Sequence, residues 1–168
     1  MPSGWSVVPL RDQPGRGTFD CGNAELNLYL SQYARQQRDR RPALTMVAEE
    51  PGSRRIVGFY TLSSTLVVKP DLPPAIGKRL TQEVPATLLG RLAVDREAQG
   101  SGLGSALLVH ALRQAAQAAE LVASHLVVVD AIDQAAVGYY LRFGFAGLTP
   151  TPRRLFLTMD TAAALRRI

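Results

Sequence analysis

A glutamine and three glycines, Gln99-Gly100-x-Gly102-x-Gly104, follow an apolar run and open onto a long stretch rich in alanine and leucine. That order of residues builds a seat for a phosphorylated ligand. The first N–H groups of a helix have no intrahelical partners and carry the positive end of the helix dipole, so both favour an anion docked there. Glycine lacks a Cβ, which lets the backbone come close to phosphate oxygens. The spacing differs from the G-x-G-x-x-G of dinucleotide-binding turns, and the lysine of a P-loop is missing. The expected ligand is therefore neither NAD nor ATP. Metal and disulfide chemistry find no support: Cys21 is the single cysteine, His110 and His125 stand alone, and no ligand spacing for a metal occurs. Cys21 reads as a small buried hydrophobe.

The elements that must position this turn follow from pattern. Trp5 to Leu10 is a short strand candidate, and Phe19 to Glu25 supplies turn and cap residues for a helix running to about Arg38, with Leu26, Leu30 and Tyr33 on its inner face. Leu44 to Glu49 and Arg55 to Leu62 read as an antiparallel pair joined at Pro51-Gly52-Ser53. The proline-spaced stretch from Lys69 to Pro85 reads as an excursion with a short helix around Ile76 to Leu80. Thr87 to Val94 is the strand leading into the glycine turn, and Gly102 to about Ala119 the helix leaving it. Gly90 within that strand marks either a bulge or a close approach. His125 to Asp130 is apolar throughout its middle, as in a strand buried on both faces. Asp133 is placed to cap a helix carrying Ala136, Tyr140 and Phe143 on one face and ending at Gly144, and Arg154 to Met159 is a last strand.

With 168 residues, 46% of them hydrophobic, the chain is long enough for one domain with a true core, expected to span 1–168. The N-terminus has no signal-peptide pattern and no apolar run approaches the roughly 20 residues of a membrane span, so a cytoplasmic protein with no membrane association is expected. The formal charge is +5, with arginines grouped at Arg35, Arg38, Arg40 and Arg41, at Arg54 and Arg55, and with Lys78 and Arg79 beside the proline-rich stretch. A polyanionic small ligand at the glycine turn would occupy only a few of these cations; the remainder suits an RNA backbone better than a small-molecule substrate. A solvated surface is the competing explanation for each group.

The Q-x-x-G-x-G run, followed some thirty residues later by Asp133-Gln134-Ala135-Ala136-Val137-Gly138-Tyr139-Tyr140-Leu141-Arg142-Phe143-Gly144-Phe145, resembles the acetyl-CoA signature of GNAT N-acetyltransferases. The resemblance implies an α/β GNAT fold: a mixed central sheet with a splayed acetyl-CoA-binding cleft and flanking helices. It implies acetyl-CoA as co-substrate and no metal. It assigns main-chain contacts with the pantetheine arm to Leu92, Ala93 and Val94. Contacts at the helix start fall to Gln99, Gly100, Gly102, Leu103, Gly104 and Ser105, and a further one to Asp133. It also makes Tyr140 the general acid for the departing thiolate, with Tyr139 as the competing choice and core packing as the alternative role. GNAT enzymes often have asparagine where Asp133 stands; an ionised carboxylate near CoA repels phosphate, which leaves Asp133 a helix-capping role.

The strand before the turn, Ala86 to Leu92, contains no carboxylate where many relatives carry a catalytic glutamate. Glu49, Glu83 or a chain of waters remain open as the base. Near pH 7.4 a lysine amine is neutral about one part in a thousand and an α-amine roughly a quarter, a difference of about 300-fold. The missing base thus favours an α-amine acceptor. Phe19-Asp20-Cys21-Gly22-Asn23-Ala24-Glu25-Leu26, Tyr33-Ala34-Arg35-Gln36, Leu89-Gly90-Arg91-Leu92-Ala93-Val94 and Val128-Val129-Asp130-Ala131 resemble the TacT-type GNAT toxins of bacterial toxin–antitoxin pairs. That resemblance covers nearly the whole chain. It implies acetylation of the α-amine of aminoacyl-tRNA, arrest of translation, a homodimer, and neutralisation by a ribbon-helix-helix antitoxin through which alone DNA is bound. Arg35, Arg38, Arg40, Arg41, Lys78, Arg79 and Arg91 are the candidate RNA contacts, Arg91 being expected to meet the acceptor or a carboxylate. A GNAT acting on a protein N-terminus or small amine, and a non-catalytic CoA-binding or partner-binding module, are the alternatives.

Overall fold

The computed structural model describes residues 4–40 and 42–165, the side chains of 37–39 excepted. In chain order the elements are β1 (Ser6–Pro9), α1 (Ala24–Leu28), a π-helical turn (Tyr29–Tyr33), α2 (Ala34–Arg40), β2 (Leu44–Glu49), β3 (Ile56–Val68), a 3-10 turn (Lys69–Asp71) and α3 (Pro74–Gly77). They continue with β4 (Glu83–Val94), a 3-10 turn (Arg96–Ala98), α4 (Leu103–Ala119), β5 (Leu126–Asp130), α5 (Gln134–Arg142), β6 (Ala146–Gly147), β7 (Arg154–Thr158) and α6 (Met159–Ala164). The strands form a mixed, open sheet in the order β1-β2-β3-β4-β5-β7-β6, parallel at β4–β5 and antiparallel at β1–β2, β2–β3, β5–β7 and β6–β7. Residue contacts divide the chain into two compact units, one reaching Ser63 and taking in Gly90–Ala111, the other Ser64–Leu89 with the chain from Leu112 onward.

In the first unit, β2 and β3 form the expected hairpin, from Leu44↔Leu62 to Glu49↔Ile56 with an irregularity at Ala48/Glu49. Its core gathers Leu10, Phe19, Tyr29, Leu30, Val47, Ile56, Phe59 and Ala93. Phe59 lies at the centre, 5.4 Å edge-to-face from Phe19 and 5.9 Å stacked on Tyr29. The helix after Asn23 starts where expected, with the Asn23 side chain accepting from the Leu26 N–H at 3.1 Å. It is not one α-helix, however, because a π turn separates α1 from α2. The wider i→i+5 ladder carries position 33 off the inner face, so Tyr29 and Leu30 are buried and Tyr33 is 46% exposed. The placement of Tyr33 in the core is corrected accordingly.

The first turns of α4 lie close on β3. A Cβ at Gly58 would stand 2.7 Å from Leu107 Cδ1, 3.1 Å from the Ala93 carbonyl oxygen and 3.4 Å from Leu103 Cδ2. Farther along the same two elements, the Tyr60 hydroxyl meets His110 Nδ1 at 2.8 Å. Gly58 thus sets how near the start of α4 comes to the sheet, a role no local pattern announces. Gly58→Ala is expected to destabilise the fold by about 1–3 kcal/mol through overpacking, seen in a thermal melt as a fall of about 2–4 °C per kcal/mol. An unchanged Tm would show that α4 is not held at this distance.

In the second unit, Leu126 to Val129 of β5 are all buried, as expected of a strand covered on both faces. β5 pairs with β4 from Ala86↔Leu126 to Leu89↔Val129 and with β7 from Leu126↔Thr158 to Asp130↔Arg154. Val67, Leu72, Val84, Ala86, Leu126, Val128, Leu148 and Phe156 form the core, with Ile76 and Leu80 packed on it. Three boundaries differ from expectation. The short helix falls at Pro74–Gly77, because Pro74 at its first position is pre-set for a helical φ. β4 begins at Glu83 and runs through Pro85, whose carbonyl accepts from the His125 N–H at 2.8 Å, so Pro85 belongs to the strand and not to the excursion. After β7 the chain turns into α6, capped by Thr158, whose hydroxyl accepts from the Thr161 N–H at 3.3 Å.

Candidate functional site

The glycine turn expected to seat a phosphate is built entirely within the first unit. The last β4–β5 pair is Leu89↔Val129, so Gly90 is the first β4 residue past it and Leu92, Ala93 and Val94 follow. Ala93 belongs to the core, while Leu92 and Val94 are half-buried, leaving main-chain groups as what this strand end offers a ligand. One of these is taken: the Val94 carbonyl accepts from Gln99 Nε2 at 3.0 Å. Asp95, 5% exposed, turns the chain. Its N–H donates to the Val57 carbonyl at 2.9 Å, and its Oδ1 accepts from the Glu97 N–H at 3.0 Å.

Gly100 and Gly102 have φ of 75° and 86°, and a Cβ on either would meet nothing within 4 Å. The left-handed backbone demands glycine at both positions, and the space around them is open to a ligand. The Ser101 hydroxyl donates to the Ala98 carbonyl and accepts from the Leu103 N–H, closing the turn onto α4. The first turn of α4 holds no acidic residue, and Gly104 and Ser105 lie within it. An exposed helix start of this kind, with open backbone and no acidic residue in its own first turn, fits a pyrophosphate through N–H groups and the helix dipole. Gln99 contributes no charge.

In the second unit, Asp133 caps α5 with extended backbone, its Oδ1 accepting from the Ala136 N–H at 2.8 Å. The same helix buries Tyr140 to 8% exposure. Gly144, at φ 90°, stops the helix. The Tyr140 carbonyl then accepts from both the Phe143 and Phe145 N–H groups, at 3.0 and 3.3 Å, and the reversal brings the Phe145 ring edge-to-face onto Tyr140 at 5.4 Å. The spacing Y-x-x-F-G-F is thus a helix end that packs its last aromatic on its own tyrosine. Burial, and to a smaller degree Tyr139, push the Tyr140 phenol well above its ordinary pKa. No hydrogen-bond partner for its hydroxyl occurs among the described residues. Tyr139 is half-buried, with its ring 5.1 Å from Phe143 and 5.7 Å from the Arg142 guanidinium.

The cations divide by their surroundings. Arg54 meets Glu49 at 3.5 Å, Arg55 meets Glu97 at 2.6 Å and Glu50 at 3.5 Å, and Arg154 meets Asp130 at 3.2 Å. Arg35 and Arg40 are exposed on α2 of the first unit, and Lys78 and Arg79 are exposed after α3 of the second. Arg41 and the side chain of Arg38 lie outside the described residues. Arg91 is half-buried with its guanidinium 3.8 Å over the Tyr29 ring, so among the described residues an aromatic face is the neighbour that offsets its burial. Of the carboxylates open as a base, Glu49 is buried beside Arg54 and Glu83 is exposed at the start of β4. No cluster of three His, Cys, Asp or Glu able to hold a metal occurs among the described residues. Nor is any described helix long and apolar enough to cross a membrane.

A glycine turn whose open backbone suits a phosphate stands between β4 and α4, and a buried tyrosine stands near the end of α5; both are features that acyl-CoA-dependent transferases share. Residues 15–145 match the model of the acetyltransferase (GNAT) family, and the chain belongs to that family. Among its relatives is the tRNA-acetylating toxin of Mycobacterium tuberculosis, 37% identical over 149 residues that make up 88% of each chain. Two solved structures share the fold. AtaT complexed with acetyl-methionyl-tRNAfMet superposes with a TM-score of 0.90 at 27% identity, over 96% of this chain and 99% of that one. A tyrosine-to-phenylalanine mutant of the AtaT toxin, bound to the C-terminus of the antitoxin AtaR and acetyl-CoA, gives 0.85 at 25% identity, over 99% and 100%. The chain is a GNAT acetyltransferase and a homologue of a tRNA-acetylating toxin.

Proposed function

We propose that this chain transfers the acetyl group of acetyl-CoA to the α-amine of aminoacyl-tRNA and thereby arrests translation. The identity with the mycobacterial tRNA-acetylating toxin, spread over nearly nine-tenths of both chains, is the observation that carries the acceptor. The neutral α-amine forms the new C–N bond at the thioester carbonyl carbon while the C–S bond breaks, and the electron pair leaves on sulfur. Tyr140 is the catalytic residue that donates a hydrogen bond and then its proton to that sulfur, and it recovers a proton released by the acetylated amine through water. A phenol buried as Tyr140 is remains protonated through the physiological range, as this role requires. Gly100, Gly102, Leu103, Gly104 and Ser105 hold the pyrophosphate through the start of α4, Leu92 to Val94 offer main-chain groups to the pantetheine arm, and Asp133 acts as a helix cap. Arg35, Arg40, Lys78 and Arg79 are the exposed cations offered to the RNA backbone.

The reading takes 1–168 as one GNAT domain, supported by a family model whose single match draws on both compact units. It includes a cytoplasmic homodimer, a ribbon-helix-helix antitoxin as the neutralising partner, and DNA contact made only through that antitoxin. A cell-free translation reaction supplied with acetyl-CoA is expected to lose protein synthesis on addition of the chain, with mass spectrometry finding N-acetylated amino acids on tRNA. Unimpaired synthesis with unmodified aminoacyl-tRNA overturns the reading. Acetyl transfer that persists toward a protein N-terminus or small amine under those conditions would replace the acceptor.

A further inference from the structure

Two residues far ahead of the glycine turn in sequence are fastened to it. The Asp20 N–H donates to Asp95 Oδ2 at 3.1 Å, the Asp20 carbonyl accepts from the Arg96 N–H at 2.8 Å, and the Cys21 carbonyl accepts from Gln99 Nε2 at 3.1 Å. The Asp20 carboxylate also lies 3.4 Å from the Arg96 guanidinium. On its other side the loop is closed by Asn27. Asp20 Oδ1 accepts from Asn27 Nδ2 and from the Gly22 N–H, each at 2.9 Å, and the Cys21 N–H donates to Asn27 Oδ1 at 2.9 Å. Hydrogen bonds from Asn27 and Gly22, with Arg96 beside it, hold the Asp20 carboxyl below the usual carboxylate range, so it is ionised throughout the working range.

Donors bind an anion well when they are already aimed, and a turn containing two left-handed glycines supplies little stiffness of its own. A Cβ added at Gly100 or Gly102 would meet nothing within 4 Å, so the turn's tip is not clamped from that side. The upstream end of the turn, residues 95–99, is itself fastened to loop 20–22. Gln99 belongs to the same fastening, since its amide nitrogen is engaged by the Cys21 and Val94 carbonyls. We propose that Asp20, Asp95 and Gln99 are positioning residues of the acetyl-CoA pyrophosphate seat, a brace that aims the N–H groups at the start of α4 without touching the ligand. The inference rests on reading that turn as the acetyl-CoA seat.

Asp20 gives the cleanest test, because charge and brace act in opposite directions. Removing a carboxylate near an anion site strengthens binding if only charge matters; removing a brace weakens it. In the purified full chain, Asp20→Ala is expected to raise the Kd for acetyl-CoA about tenfold, the scale of one or two lost hydrogen bonds. kcat at saturating acetyl-CoA is expected to stay within about twofold. Asp20→Asn keeps the Oδ1 acceptor for Gly22 and Asn27 and is expected to hold Kd within about threefold, on the fold-change scale of a single weakened contact. Turnover of S-acetylpantetheine, which carries no pyrophosphate, is expected to be the same in wild type and both variants. Unchanged or tighter acetyl-CoA binding by Asp20→Ala overturns the brace, as does an equal loss with S-acetylpantetheine. Wild-type chain that binds S-acetylpantetheine and acetyl-CoA equally well would remove the pyrophosphate seat itself, and the brace with it.

Discussion

Tyr140→Phe is expected to lower kcat by about 10²–10⁴-fold, the usual contribution of a positioned proton donor, while the Kd for acetyl-CoA and the thermal midpoint stay at wild-type values. The ring makes the packing contacts, edge-to-face with Tyr139 and Phe145 at 5.4 Å each, and Phe preserves them. The hydroxyl has no hydrogen-bond partner among the described residues, so its removal strands no buried group. Loss of turnover with folding and donor binding intact is the signature of a group that acts only as the C–S bond breaks. Wild-type turnover in the variant would return Tyr140 to a packing role and leave the acid elsewhere.

The pH profile tests the same residue from another side. Burial raises the Tyr140 pKa, so its acidic form persists as pH rises. An α-amine acceptor becomes neutral through about pH 7.8. kcat/KM in the wild type is therefore expected to climb between about pH 6.5 and 8.5 and then level, with no falling limb up to about pH 9. A decline setting in near pH 8 would mean that the essential acid ionises far below where a buried phenol does.

Gly102→Ala is the second large effect. At φ 86° an L side chain is strained by roughly 1–2 kcal/mol although space for the methyl exists. The chain can keep the backbone and lose that stability, or relax φ and swing the N–H groups away from the pyrophosphate. Since the surrounding space is open, relaxation meets no steric resistance, and acetyl-CoA affinity is expected to fall about 10–100-fold, a shift of about 1.4–2.7 kcal/mol. Titration calorimetry with CoA reads the change directly. Wild-type affinity in Gly102→Ala would mean that the turn's left-handed geometry does not serve the ligand.

What could be read in advance was what short stretches of chain decide for themselves. The Asp133 cap, the stop at Gly144, the buried run of β5 and the glycine turn all rest on neighbours within a few residues, and each was legible. Gly58 was not, because the reason for it is Leu103, Leu107 and Ala93 lying across the sheet. Nothing local announces Asp95 either, whose carboxylate accepts from the N–H of a residue 75 positions earlier. Arg91 was expected at the acceptor or beside a carboxylate; the neighbour that the described residues give it is the Tyr29 ring, from a helix about sixty residues earlier in the chain. Local pattern identifies the parts of a donor seat, whereas the contacts that hold those parts still come from elsewhere in the chain.

The π turn at Tyr29–Tyr33 has a bearing on where the cations of α2 point. It works as a phase shifter: Arg35 and Arg40, which follow it, are rotated about the helix axis relative to Tyr29, which lies beneath Arg91. A one-residue deletion there would restore uniform α spacing and turn the whole basic face by about a quarter of a revolution, the 100° each α-helical residue contributes. Insertion or loss of a single residue in this turn therefore re-aims Arg35 and Arg40 without altering either of them.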